Sequence, residues 1–224
     1  MSLMDIPILR MAYDYRDFFL TGIKYTLLLS VIGVFCGFVL GIIVALMRMS
    51  PWRVLRWIAT LWVEFLRGTP MLVQLFLIHY GLTKYGIEFT AVQSGAITLS
   101  INSSAYLAET FRAGIQGVDR GQSEAARSLG MRPAMTFRYI VLPQAIKAVL
   151  PAIGNEFITI IKESSIVSMI GVYDLMFQSR SITTITYEPM NPLIIAALLY
   201  FILTFTLSRL LGRFERRLNA SDNR

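Results

Sequence analysis

The residues with the most distinctive spacing lie in a polar segment between two long apolar stretches. Asp119 is a residue type that caps helix N-termini, Gln122 follows at the distance of a capping box, and Gly130 suits the left-handed residue after a helix end. This spacing predicts a helix of two or three turns. At helical spacing, one face carries Gln122, Ala125, Ala126 and Leu129, and the other largely carries Arg120, Glu124, Arg127 and Ser128.

The composition of this helix predicts that it docks against another protein rather than taking part in catalysis. The face with Ala125 and Ala126 is small and nearly flat, so it buries too little apolar area to anchor in lipid, but it allows close approach to a groove in another protein. Glu124 has two possible partners. It can pair with Arg127 of its own helix, for about 0.2 to 0.5 kcal/mol, or meet a basic residue of the partner protein.

A second group of polar residues lies inside apolar stretches, where an unpaired polar group is costly. Asn155 and Glu156 are the leading pair, and Pro151 before them removes one backbone hydrogen bond. A carboxylate beside free carbonyl groups suits a substrate ammonium group. The alternative, that both side chains only bond neighbouring helices, stays open. Gln74, Asn102 and Ser103 are further candidates for the lining of a path, with the same alternative.

Three residues of the second apolar stretch predict a structural or gating role. Glu64 and Arg67 are three residues apart near the expected cytoplasmic end of that stretch, so we expect them to neutralise each other. Pro70 follows and is expected to kink the helix.

The sequence offers no catalytic or metal-binding constellation. Its single His79 and single Cys36 are too few for a zinc site or a disulfide framework, and His79 has no obvious serine to form a catalytic pair. The sequence also lacks a Gly-x-x-x-x-Gly-Lys-Ser/Thr loop. We therefore expect a protein that is not an enzyme and binds no cofactor.

The elements that position these residues are predicted to be membrane helices. Of the 224 residues, 55% are hydrophobic and 16% charged, which is too apolar for an ordinary soluble domain. A helix needs roughly 20 apolar residues to cross a bilayer core. We predict an all-α membrane protein with about five transmembrane helices, at 25–47, 57–80, 91–111, 144–161 and 193–211.

The basic residues predict the orientation and the domain limits. The formal net charge is +7, but 14 of the 21 basic residues lie in three groups beside the first, third and fifth spans, so we expect no nucleic acid partner. Cytoplasmic flanks hold such an excess, which places the N-terminus outside and the C-terminus inside. We predict an extracytoplasmic or interfacial segment at 1–24, a transmembrane domain at 25–217 with its cytoplasmic loop at 119–143, and a cytoplasmic tail at 218–224.

The polar loop also carries a family resemblance. Its spacing is Glu-Ala-Ala, three residues, Gly, nine residues, Ile, one residue and Leu-Pro, at Glu124, Ala125, Ala126, Gly130, Ile140, Leu142 and Pro143. This pattern resembles the loop motif of the integral membrane permeases of bacterial ABC importers. Segments 64–74 and 151–157 resemble the branch that imports polar amino acids of the histidine, glutamine and arginine type.

The resemblance implies an ABC type I importer permease fold in the bacterial plasma (inner) membrane, with the loop helix as the coupling helix. It also implies the partners: two nucleotide-binding ATPase subunits that hydrolyse the ATP, a second permease subunit in a homodimer or heterodimer, and an extracytoplasmic amino-acid-binding protein. Glu156 favours a basic or neutral amino acid as substrate. The rivals are a permease for an opine or an organic ion and a passive membrane channel.

Overall fold

The computed structural model describes residues 7–220, and nearly all of them are helical. The α-helices are α1 (Pro7–Asp14), α2 (Arg16–Met49), α3 (Arg53–Gly68), α4 (Met71–Phe76), α5 (Ala91–Gln116), α6 (Arg120–Ser128), α7 (Pro133–Thr136), α8 (Leu142–Glu163), α9 (Leu175–Thr186) and α10 (Met190–Ala220). Two π turns, Leu77–Gly81 and Phe137–Val141, and two 3-10 turns, Thr83–Tyr85 and Ser164–Ile170, join them. No strand occurs in this part of the chain, and the all-α fold class is confirmed.

Three helical segments within residues 7–220 are long and apolar enough to cross a membrane: Arg16–Met49, Pro133–Ile170 and Met190–Arg217. The bent pair Arg53–Gly68 and Met71–Tyr85 makes a fourth if it is one span. The remaining predicted span is α5, which has 26 residues but is more polar. It packs against α2, α3 and α8, and several of its hydroxyls bond its own carbonyl groups, as Thr98 Oγ1 does to the Ser94 oxygen at 2.7 Å. Burial in protein explains how a polar helix can occupy the membrane.

The most extensive helix contact joins α2 to α5 along a stripe of glycines. A Cβ atom on Gly33 would lie 3.0 Å from the Leu99 Cβ, and a Cβ atom on Gly41 would lie 3.0 Å from the Leu107 Cβ. Small residues let membrane helices approach this closely, where packing and dispersion hold them together. α2 and α5 therefore form the centre of the bundle.

The second span is broken at Thr69 and Pro70, between α3 and α4. α3 and the segment from Met71 onward meet at 107°, so the kink predicted at Pro70 is in fact a complete break. Proline explains it, because Pro70 has no N–H to continue the helix and its φ of −61° with ψ of 135° is extended. The break leaves backbone carbonyl groups without helical partners inside the bundle.

The two ends of the chain differ from the predicted limits. The helix that contains the first span begins at Arg16, before the predicted start of the span at residue 25, and α1 packs against α10. Helix α10 continues through 218–220, which were predicted as tail. Residues 1–6 of the predicted N-terminal segment and 221–224 of the tail lie outside the described residues.

Candidate functional site: the loop helix and the central polar cluster

The loop helix α6 is held at both ends by local hydrogen bonds. Asp119 caps it, because its Oδ1 accepts from the Gly121 N–H at 2.6 Å. The bond goes to Gly121, and no capping box with Gln122 is formed, so that detail of the prediction is wrong. At the other end Gly130 has a φ of +83°, the Gly130 N–H donates to the Arg127 oxygen at 2.9 Å and the Met131 N–H to the Ala126 oxygen at 3.1 Å. This is a Schellman ending, and the glycine predicted there is required by its left-handed backbone.

The residues predicted to form the small face of α6 do not share one exposed surface in the structure. Ala126 is buried, because α6 lies against α7 and the π turn Phe137–Val141. Ala125 is exposed, and so is Leu129, at 86% of its surface. The exposed face is therefore centred on Gly121, Glu124, Ala125 and Ser128, with Gln122, Arg127 and Leu129 at its margins. Ala126 supports this surface from inside the chain and does not belong to it.

The glutamate of this face is not paired within the described part of the loop. The salt bridges between described residues do not include Glu124 with Arg127. The local bond at Glu124 is instead through its backbone oxygen, which accepts from Ser128 Oγ at 3.0 Å. An exposed carboxylate beside a largely exposed leucine is the composition of a surface that meets another protein.

The central polar cluster begins at the broken second span, where Gln74 is buried. Its Nε2 donates to the Leu66 oxygen at 2.8 Å, to the Thr69 oxygen at 3.1 Å and to the Thr69 Oγ1 at 2.9 Å. Its Oε1 accepts from the Asn102 Nδ2 of α5 at 3.1 Å. One side-chain amide thus satisfies the carbonyl groups freed by the break and ties them to α5. The sequence singled out both residues, but not this bond.

The cluster continues from α5 to α8. The buried Ser103 follows Asn102, and its hydroxyl interacts with the Glu156 carboxyl group of α8. The geometry falls short of a full hydrogen bond, so the Ser103 Oγ stays unsatisfied inside the bundle. Glu156 is half-buried, whereas the neighbouring Asn155 is exposed on another side of α8. The structure therefore pairs Gln74 with Asn102 and Ser103 with Glu156 at adjacent positions of α5, and separates Asn155 from them.

The charged pair of the second span does not have the expected partners. The salt bridges between described residues do not include Glu64 with Arg67. Instead the Arg67 guanidinium lies 5.4 Å from the centroid of the Tyr106 ring of α5. Both charged residues are close to the break at Pro70, in the C-terminal half of α3. Both are exposed on the isolated chain.

A third polar group, at the end of the bundle that carries α6, joins α2 to α5. Arg48 and Arg112 both form salt bridges with Glu109. The Arg112 Nε donates to the Glu109 Oε2 at 3.2 Å, and its Nη1 donates to the Gln116 Oε1. The spacing of Glu109 and Arg112 predicts their contact. Nothing in the sequence indicated that Arg48 of α2 would also form a salt bridge with Glu109. We call this end of the bundle the basic end.

Gln74→Leu is expected to lower the stability of the folded chain by about 1 to 3 kcal/mol, because it strands the carbonyl groups of Leu66 and Thr69 inside the bundle. Thermal unfolding of the detergent-purified protein measures the effect. Gln122→Leu is the matched control, since Gln122 is an exposed glutamine on the loop helix α6. Equal melting temperatures for the two variants would contradict this account of the break.

Comparison with known proteins identifies the class that this fold and these sites define. Residues 37–220 match the model of a family described as "Binding-protein-dependent transport system inner membrane component". The chain is 40% identical over 218 residues to the "Probable glutamine ABC transporter permease protein GlnM" of Bacillus subtilis (strain 168), with 97% of this chain and 100% of that protein covered. It is 39% identical over 206 residues to the "Arginine transport system permease protein ArtQ" of the same organism, with 92% and 94% covered.

Solved structures agree with this class. A chain of the "Crystal structure of an amino acid ABC transporter with histidines" superposes with a TM-score of 0.92 at 49% identity, covering 97% of this chain and 100% of that one. A chain of the MetNI methionine ABC transporter in an inward-facing conformation superposes with a TM-score of 0.74 at 21% identity, covering 97% and 99%, and shares the fold.

The chain belongs to the family of inner membrane components of binding-protein-dependent transport systems. It is a multi-pass permease subunit with the ABC type I importer fold, as its loop motif predicted. The family implies ATPase partner subunits and a substrate-binding protein.

Proposed function

We propose that this permease carries a polar amino acid, basic or neutral, and that the central polar cluster contacts the substrate on its way. The observation that carries the proposal is Glu156, a carboxyl group on a membrane-spanning helix beside the unsatisfied hydroxyl of Ser103. Such a group is costly in lipid and suits the ammonium group of an amino acid. Relatives named for glutamine and arginine transport support the same substrate class.

The bonds of the cluster suggest different roles for its members. Gln74 and Asn102 are occupied with the broken span, so we assign them the task of holding its shape. Ser103 and Glu156 keep capacity for a ligand. Glu64, Arg67 and Pro70 lie at the break, where a change of bend would alter the path, so we assign them to gating.

A second permease subunit would cover the polar side of α8. At helical spacing this side presents exposed polar or small residues, which do not suit lipid: Gln144, Ala148, Asn155 and Lys162. Between them lie the partly exposed Ala152 and Thr159. We therefore propose a permease dimer, formed with an identical or a homologous chain, with Asn155 at the interface or in the path. Two ATPase subunits, one on each loop helix, complete the proposed importer.

The coupling step we propose is mechanical. Closure of the ATPase subunits on ATP moves α6, and α6 moves the spans through its packing on the chain that leads into α8. This assignment requires the basic end to be cytoplasmic, with the N-terminus outside and the C-terminus inside, as the distribution of Lys and Arg favours.

Glu156→Gln is expected to lower amino-acid uptake by at least about tenfold, because it removes the charge that would receive the ammonium group while preserving the shape of the side chain. Uptake of radiolabelled arginine and glutamine by proteoliposomes with the full importer measures it, with ATP hydrolysis recorded in parallel. Glu88→Gln, in an exposed connection, is the matched control. Unchanged uptake in Glu156→Gln would exclude the carboxylate from the path.

The same proteoliposomes separate the rivals. A permease for an opine or an organic ion would take up those solutes in place of amino acids, and a passive channel would conduct without ATP. For the substrate itself, we expect the cognate binding protein to prefer arginine, lysine, histidine or glutamine. Selective binding of glutamate would overturn the preference inferred from Glu156.

A further inference from the structure

A cavity of about 450 Å³ lies at the basic end between α2, α3 and α5, and arginines dominate its lining. The lining residues are Arg48, Met49, Arg56, Thr60, Arg112 and Gln116. Arg48 and Arg112 share the single carboxylate of Glu109, and the salt bridges between described residues do not include Arg56. The three guanidinium groups and one carboxylate therefore hold a net charge of +2. The cavity is electrostatically suited to an anion.

A second, shallower hollow of about 590 Å³ adjoins the first, because Arg56 and Thr60 line both. Its other lining residues are Arg53, Val54 and Trp57, and its surface is almost wholly apolar. Trp57 and Val54 are largely exposed, on a helix whose outer side continues with apolar residues towards the middle of the bundle. An apolar hollow on a helix with an apolar outer side is suited to contact the hydrocarbon of a bilayer.

The position of the two hollows indicates which kind of anion would bind there. Trp52 and Trp57 lie in the first turns of α3, and tryptophan is enriched at the boundary between headgroups and hydrocarbon. A cationic cavity that opens at this level onto an apolar hollow matches a molecule with an anionic head and an acyl tail, and a free phosphate would leave the apolar part unused. Basic cavities between membrane helices bind acidic headgroups in this way.

We propose that this site binds an anionic phospholipid, with the phosphodiester headgroup between Arg48, Arg56 and Arg112 and an acyl chain in the hollow beside Trp57. Arg48 and Arg112 are held in place by Glu109, which leaves them oriented but only partly neutralised. Arg56 is the exposed member without a salt bridge among the described residues, so it is free to close on the phosphate. The bound lipid joins the ends of α2, α3 and α5 beside the loop helix. The inference does not depend on which amino acid is carried.

Native mass spectrometry of the purified importer complex, with phosphatidylglycerol or phosphatidylcholine added, tests the site. We expect phosphatidylglycerol to be retained preferentially and Arg56→Gln to lower its retention about fivefold. Arg216→Gln is the matched control, because Arg216 is an exposed arginine of α10 towards the basic end and does not line the cavity. We expect the control to retain the lipid and both variants to unfold at the temperature of the unmodified protein.

Three results would overturn the proposal. The first is equal retention of the two lipids. The second is equal loss of phosphatidylglycerol in Arg56→Gln and Arg216→Gln, which would indicate only general attraction to an acidic surface. The third is displacement of the lipid by millimolar inorganic phosphate, which would make the cavity a site for a free anion. Persistence of the lipid in the presence of phosphate, together with its loss in Arg56→Gln, supports the assignment.

Discussion

Gly37→Leu is expected to prevent the chain from folding into its bundle. A Cβ atom at residue 37 would lie 2.8 Å from the Ser103 Cβ and 3.1 Å from the Ser100 backbone oxygen, and the rest of a leucine side chain needs still more room. The α2 and α5 backbones would have to separate along their main contact. Overpacking of a well-packed core lowers the free energy of unfolding by about 1 to 3 kcal/mol. Because the leucine would also push the backbones of both helices apart, we expect a loss of stability at or above that range.

The measurement is the amount of monodisperse protein recovered from membranes in mild detergent, together with its melting temperature. Gly212→Leu is the matched control, since a Cβ atom on this glycine of α10 would meet no atom within 4 Å. We expect the control to be recovered at the level of the unmodified chain. Similar recovery of the Gly37→Leu variant would mean that the helices are not this close in the membrane.

Ala125→Arg is expected to reduce ATP-driven uptake by at least about tenfold while the chain folds and inserts normally. Ala125 lies on the exposed face of α6, where a long cationic side chain meets no atoms of its own chain but would prevent close docking of the ATPase. Uptake in proteoliposomes measures the loss of transport, and co-purification of the ATPase subunits measures the loss of docking. Retention of both would contradict the role of α6 as the coupling helix.

Two further variants separate docking from folding. Ala126→Arg places the same side chain at the buried neighbour, so we expect it to destabilise the loop itself and to lower recovery of the protein. Ala134→Arg, at an exposed alanine of α7 outside the loop helix, serves as the matched control for added charge, with uptake close to normal. If Ala125→Arg and Ala126→Arg behave alike, the division of the small face is wrong.

Much of the loop helix and of the bundle was predictable because local rules govern those features. The N-cap at Asp119 and the left-handed Gly130 follow from hydrogen bonds made within a few residues. The bend at Pro70 follows from a missing N–H. The class of protein was predicted from the resemblance of the loop motif at 124–143 to that of a known family.

The predictions that were wrong concern which side of a helix packs against the rest of the chain. That side depends on residues that are distant in the sequence. Ala126 and Ala125 are equally small, yet only Ala126 is buried, because α6 lies against the π turn before α8. Arg67 was assigned to Glu64 on spacing alone, but the Tyr106 ring of α5 lies within its reach. Partners from another helix have no signature in the local sequence.

The sequence by itself predicted a helical membrane protein with polar residues at membrane depth, and its loop motif resembled that of the importer permeases. Composition and short-range spacing carry the first part, because membrane burial and helix ends are local requirements. The class of protein came from the resemblance of the motif at 124–143 to a known loop. Only the tertiary structure decided that Gln74 ties the broken span to Asn102 of α5, that Ser103 meets Glu156, and that Arg48 reaches Glu109. Each contact joins residues from different helices, and only the packing of those helices brings them together.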